Sequence, residues 1–230
     1  TTIIRATLPS MKTMLITGGT DGLGKILAEK FCNQYRVIVT SRTEKWPPSE
    51  TMPYESIVLN VRDENSIRSG VRSVLDQYKT IDCLINNAGV WVEGALEKNN
   101  SQAVRETIET NLTGTILVTQ AVIPIMKIQK GGTIININSQ NGLGAKKERS
   151  VYIASKWGMT GFTKSLQDEL PEYGIRITGI YPGKMHTNLF EKAGIHKHML
   201  DAIDPIHVAD TISLILSLPN DIVIPEIGIK

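Results

Sequence analysis

Short runs of apolar, often β-branched residues alternate with longer amphipathic stretches along the whole chain, and this alternation constrains the fold more than any other feature. Residues 12–17, 36–40, 56–61, 82–86, 133–138, 175–181 and 222–227 read as strands. Residues 24–34, 64–77, 102–127, 151–170 and 207–218 read as helices, with Asp63 placed to cap the second and Pro171 to stop the fourth. Trp46-Pro47-Pro48 reads as a loop and Gly131-Gly132 as a turn. Strands separated by helices need crossover connections, which give a mostly parallel sheet covered on both faces. In such sheets ligands bind beyond the carboxyl ends of the strands.

With 230 residues, 41% of them hydrophobic, the chain can fill one large core. A single α/β domain is expected over residues 11–230. Residues 1–10 are expected to be a non-native or flexible segment, with Met11 or Met14 as the natural start. The net charge is +2, from 25 Lys+Arg against 23 Asp+Glu, so nothing in the overall charge favours nucleic acid or a membrane as partner. No apolar stretch approaches the roughly 20 residues that span a bilayer, and the N-terminus lacks the order of a signal peptide. Cys32 and Cys83 lie in apolar runs and are expected to be buried free thiols, which fits a reducing cytoplasm. The four histidines, 186, 196, 198 and 207, lack the spacing and companions of a metal site.

The first strand runs into Thr17-Gly18-Gly19-Thr20-Asp21-Gly22-Leu23-Gly24. Gly18, Gly22 and Gly24 permit a tight turn, close approach of a pyrophosphate and close helix–strand packing. The following helix would aim free N–H groups at the phosphates, so the turn reads as a dinucleotide site. The second strand ends at Thr40-Ser41-Arg42, with no acid until Glu44. An acid there would bind the 2′-hydroxyl of NAD, whereas Arg42 suits the 2′-phosphate of NADP. Asp21 opposes that preference, because its carboxylate would repel the phosphate.

Tyr152 and Lys156 stand four apart on an expected helix and share one face. Alone, that pair means little. Ser139 at the end of the preceding strand and Asn111 inside a long helix change its weight, since an amide has no propensity reason to be mid-helix. Together with the glycine turn, Asn86-Asn87-Ala88-Gly89, and Pro182-Gly183 with Thr187, the chain resembles the short-chain dehydrogenase/reductase family over nearly its whole length after the first strand.

The resemblance implies a single doubly wound Rossmann-type domain, with a parallel sheet of about seven strands and helices on both faces. It implies an oxidoreductase moving a hydride between NADP(H) and a small-molecule carbonyl or secondary alcohol. Tyr152 would be the general acid/base, its phenol brought down by Lys156 and the positive nicotinamide; a thousandfold gain in acidity corresponds to roughly 4 kcal/mol. Ser139 would orient the substrate oxygen, Asn111 would hold a water linking Lys156 to solvent, and Lys156 would also bind the nicotinamide ribose. Asn87, Ala88 and Gly89 would line the adenosine ribose, and Pro182, Gly183 and Thr187 the nicotinamide and its phosphate. Asn60, where the family usually has Asp, would contact adenine with Val61; Thr20, Leu23 and Ser41 complete the cofactor set.

Trp91, Gln140 and His186 fall where the family's substrate pocket forms, and residues 184–204 would cover the substrate. Lys146-Lys147-Glu148-Arg149 reads as a solvated charge run. The family commonly forms dimers or tetramers through its two long helices, here 102–127 and 151–170. The alternative reading is a non-catalytic dinucleotide-binding scaffold or redox-sensing regulator on the same fold.

Overall fold

The computed structural model describes residues 11–43 and 54–230. Residues 1–10, Glu44 and the Trp46-Pro47-Pro48 loop lie outside the described residues. The strands are β1 (Thr13–Ile16), β2 (Arg36–Ser41), β3 (Glu55–Val58), β4 (Cys83–Asn86), β5 (Gly132–Ile137), β6 (Ile175–Pro182) and β7 (Glu226–Ile229). They form one seven-stranded sheet in the order β3-β2-β1-β4-β5-β6-β7, every pair parallel. The order reverses between β1 and β4, which opens a crevice at their carboxyl ends.

The helices are α1 (Gly22–Phe31), α2 (Glu64–Tyr78), α3 (Ser101–Ile108), α4 (Gly114–Gln129), α5 (Ser150–Glu169), α6 (Leu189–Lys192) and α7 (Pro205–Ser217). Alternate side chains of β1 serve two cores, as the pleat dictates. Met14 and Ile16 pack with Leu27 and Phe31 of α1 and Ile212 of α7. Leu15 packs on the other face with Val71 of α2, Val118 of α4 and Leu166 of α5. Asp63 caps α2 by accepting from the N–H groups of Asn65 and Ser66.

Several sequence expectations change. The helix expected over 102–127 is interrupted by a π-turn, Glu109–Thr113, between α3 and α4. The continuous run Ser101–Gln129 is long and apolar enough, by length and composition, to cross a membrane, contrary to the sequence expectation. Val118, Val122 and Met126 of this run are spent in the core between α4 and the sheet. The last strand begins at Glu226 rather than 222, because Pro225 supplies a carbonyl to Gly179 N–H but no donor of its own. Cys32 is only half-buried; Cys83 is buried, and burial pushes its thiol up to about 12.

Candidate active site

A cleft of about 910 Å³ lies over the carboxyl ends of β1, β2, β4, β5 and β6. Gly18, Thr20, Asp21, Gly22, Leu23, Ser41, Arg42, Asn60, Val61, Asn87, Ala88, Gly89, Pro182, Gly183 and Thr187 line it, together with Ser139, Tyr152 and Lys156. Gly24 and Asn111 lie behind its wall.

The glycine turn is held by backbone geometry. Gly18 and Gly22 have φ of +66° and +49°, left-handed values that disfavour a side chain. A Cβ at Gly24 would sit 2.2 Å from the Gly18 carbonyl oxygen and 2.6 Å from Asn87 Nδ2. That side chain stitches the end of β4 to the turn, donating to the carbonyls of Thr17 (3.0 Å) and Gly18 (2.8 Å). Thr17 Oγ1 in return accepts from the N–H groups of Asn87 and Ala88. Asp21 occupies the N-cap of α1 without a side-chain capping bond, so the first N–H groups of that helix are free to serve a phosphate. A cradle that a Cβ would fill, beneath a helix start in a long cleft, fits a dinucleotide.

At the end of β2, Arg42 and Arg62 both line the cleft and share Glu106, at 3.7 and 3.1 Å. Sequence reasoning misses Arg62 and Glu106. Asp21 is ion-paired with Lys192 of α6, a partner also missed, which offsets the repulsion expected of its carboxylate. Asn60 accepts from the Arg62 N–H, a local turn that brings Arg62 to the cleft.

Tyr152 and Lys156 project from one face of α5 and are both buried. Ser139 follows β5 and is 8% exposed; its Oγ accepts from Asn141 N–H at 3.1 Å. Lys156 donates to the Ile137 carbonyl at 3.1 Å, with its nitrogen 5.8 Å from the centre of the Tyr152 ring. Burial pushes the Tyr152 phenol up to about 12, against smaller downward pulls from Ser139 and the Arg149 charge. Burial likewise brings the Lys156 amine down to about 7. Desolvation favours the neutral form of both groups.

Asn111 sits in the π-turn, fully buried. Its amide is engaged by the Val90 backbone, accepting from N–H at 2.8 Å and donating to C=O at 2.9 Å, and it donates to Ser155 Oγ at 3.1 Å. The side chain thus ties the segment after β4 to α5. Thr115 Oγ1 donates to its carbonyl.

Trp91 lines the cleft with its ring 4.3 Å from Tyr152 and 4.9 Å from Phe190. Gln140 lines it too, but its amide is committed to the Tyr181 carbonyl at 2.6 Å. His186 is not on the wall; its backbone bonds the Ile203 carbonyl. The expected solvated run 146–149 is corrected at Arg149, which is 16% exposed, pairs with Glu93 and covers Trp91. Glu93 and Lys197 have no sequence signal, and Arg149 stands at the N-cap of α5, three residues before Tyr152. Among the described residues no cluster fit for a metal occurs.

Residues 12–197 match the family model for short chain dehydrogenases. The chain belongs to that family. It is 36% identical over 190 residues to the uncharacterized oxidoreductase YxbG of Bacillus subtilis strain 168, covering 79% of this chain and 69% of the relative. It is 33% identical over 192 residues to the 3-oxoacyl-[acyl-carrier-protein] reductase FabG of Thermotoga maritima, covering 79% and 77%. Among solved structures, a metagenomic short-chain oxidoreductase in complex with NADP superposes with a TM-score of 0.80 at 27% identity, over 95% of this chain and 96% of the other. This dehydrogenase is therefore an oxidoreductase with a Rossmann-like fold.

Proposed function

We propose that the protein interconverts a carbonyl and a secondary alcohol using NADP(H), with Tyr152 as the acid/base group. One observation carries this reading: Ser139, Tyr152 and Lys156, from two separate elements, converge as buried groups on the wall of the cleft that holds the glycine turn. NADPH supplies the hydride when bound. Ser139 orients the substrate oxygen, and Tyr152 gives it a proton. Lys156, poised at about 7, exchanges protons near neutrality and binds the nicotinamide ribose. Asn111 positions Val90 and α5 through its side-chain amide, and would hold the water that links Lys156 to solvent.

NADP(H) over NAD(H) is supported by Arg42 and Arg62 on the cleft wall and by the Lys192 partner of Asp21. The NADP-bound relative is consistent with it. The test is a screen of diketones, quinones and aldehydes that follows NADPH absorbance. Turnover of at least one class, with NADPH preferred over NADH, is expected. NADPH binding without oxidation on any of them would favour the scaffold reading instead.

A further inference from the structure

The mouth of the cleft carries a charge arrangement that proton transfer does not require. Glu93 follows β4, Arg149 precedes α5, and Lys197 lies beyond α6; all three side chains are less than one quarter exposed. The Glu93 carboxylate accepts from Arg149 Nε at 3.3 Å, from Lys197 at 2.7 Å and from Trp91 Nε1 at 3.1 Å. Burial would lift Glu93, yet the Lys197 hydrogen bond and the Arg149 charge hold it below the usual carboxylate range. Glu93 is ionised at neutral pH, so one negative charge serves two positive ones.

Their placement gives that excess a direction. Arg149 and Lys197 line the cleft and Glu93 does not, so the carboxylate stands behind and presents both cations inward. Arg149 is held through Nε, and its terminal nitrogens have no hydrogen-bonding partner among the described residues. A guanidinium fork of that kind matches a carboxylate with two parallel hydrogen bonds. The guanidinium lies 5.1 Å from the Trp91 ring centre, and Lys197 lies 5.6 Å from the Trp91 and Phe190 rings. The Trp91 ring in turn packs against Tyr152, tilted by 49°, with ring centres 4.3 Å apart. The cations are thus about one aromatic ring away from the phenol, with apolar surface between.

We propose that the substrate is a carbonyl compound carrying a carboxylate, with a compact apolar body lying on Trp91 and Phe190 and the carboxylate held by Arg149 and Lys197. The single excess charge matches a carboxylate better than a dianionic phosphate. Arg149 and Lys197 are then specificity-determining residues and Glu93 a positioning residue. The inference rests on the carbonyl-reductase reading of the same site, and its test separates the two.

The probes are 4-acetylbenzoate and its methyl ester, which share shape and differ in charge. Binding of each to the full chain with NADP+ is measured by calorimetry, where no turnover of a ketone occurs. The acid is expected to bind about tenfold more tightly than the ester, the size of a charge-assisted hydrogen bond. In Lys197→Gln, and independently in Arg149→Gln, the acid-to-ester ratio is expected to fall below about threefold; thermal melts identify a variant that has not folded. Equal binding, no binding of either probe, or a ratio unchanged in both variants overturns the inference. Acid-selective binding that both variants lose, with no NADPH oxidation by the wild type on any carbonyl, upholds the binding site and refutes the reductase reading.

Discussion

The two ends of the cleft are built alike and differ in water. At the end of β2, Glu106 stands behind Arg42 and Arg62; at the substrate mouth, Glu93 stands behind Arg149 and Lys197. Arg42 is 68% exposed, whereas Arg149 is 16% exposed and covered by Trp91. An exposed cation can turn toward a phosphate that arrives with its own hydration, and its ion pair is worth little. A desolvated cation is fixed in place and costs free energy unless it is paired. In the proposed function the same motif would serve as an adaptable anion clamp at one end and a rigid selectivity element at the other.

Removing each glutamate breaks or sharpens that contrast most strongly. Glu93→Gln leaves two half-desolvated cations with a neutral partner and is expected to lower stability by about 2 kcal/mol. Glu106→Gln, where Glu106 is 33% exposed and its partners Arg42 and Arg62 are 68% and 28% exposed, is expected to cost about 0.5 kcal/mol. Denaturant unfolding of the two variants measures this, and equal losses would erase the distinction. The Glu93 difference also has a pH signature. Its folded pKa lies below the ordinary 4.5, so the stabilisation is complete above that value and is lost as pH falls through the folded value. The gap between wild type and Glu93→Gln is expected to close in acid.

Smaller effects are expected at the exposed end, and in cofactor choice rather than in folding. Arg42→Asp is expected to raise the KM for NADPH about tenfold and to improve NADH relatively, as loss of a charged phosphate contact would; unchanged preference in steady-state kinetics removes Arg42 from the cofactor site. Lys192→Ala frees the Asp21 carboxylate near the same phosphate path. Because that pair is half-exposed, a rise of only about two- to threefold in the NADPH KM is expected.

What can be read from the sequence divides along a similar line. The sheet, the glycine turn and the Tyr152–Lys156 face follow from local rules: period, glycine spacing and residues four apart on a helix. The π-turn at Asn111 is hidden, because a run of helical period looks the same with or without one widened turn. Asn111 is nevertheless noticeable as an amide where helix propensity gives no reason for one. The start of β7 is misplaced because Ile222-Val223-Ile224 has strand composition, while the register is set by β6 and Pro225. The Glu93–Lys197 pair, 104 residues apart, has no local signature at all. Arg149 reads as solvated because charge runs usually are, and the aromatic surface of Trp91 and the Glu93 carboxylate make this one different. Backbone-determined parts of the site are written locally; its side-chain electrostatics come from tertiary packing.

Tyr152 is where the two ends meet, and replacing it tests the central claim most directly. Tyr152→Phe removes one hydroxyl from a buried ring and keeps its packing against Trp91. NADPH oxidation with a carbonyl substrate identified for the wild type, and NADPH binding by fluorescence titration, are measured on the same preparation. The account predicts a fall in kcat of about a thousandfold with NADPH affinity within about twofold of wild type. A variant that binds NADPH normally and retains near-normal turnover would contradict it.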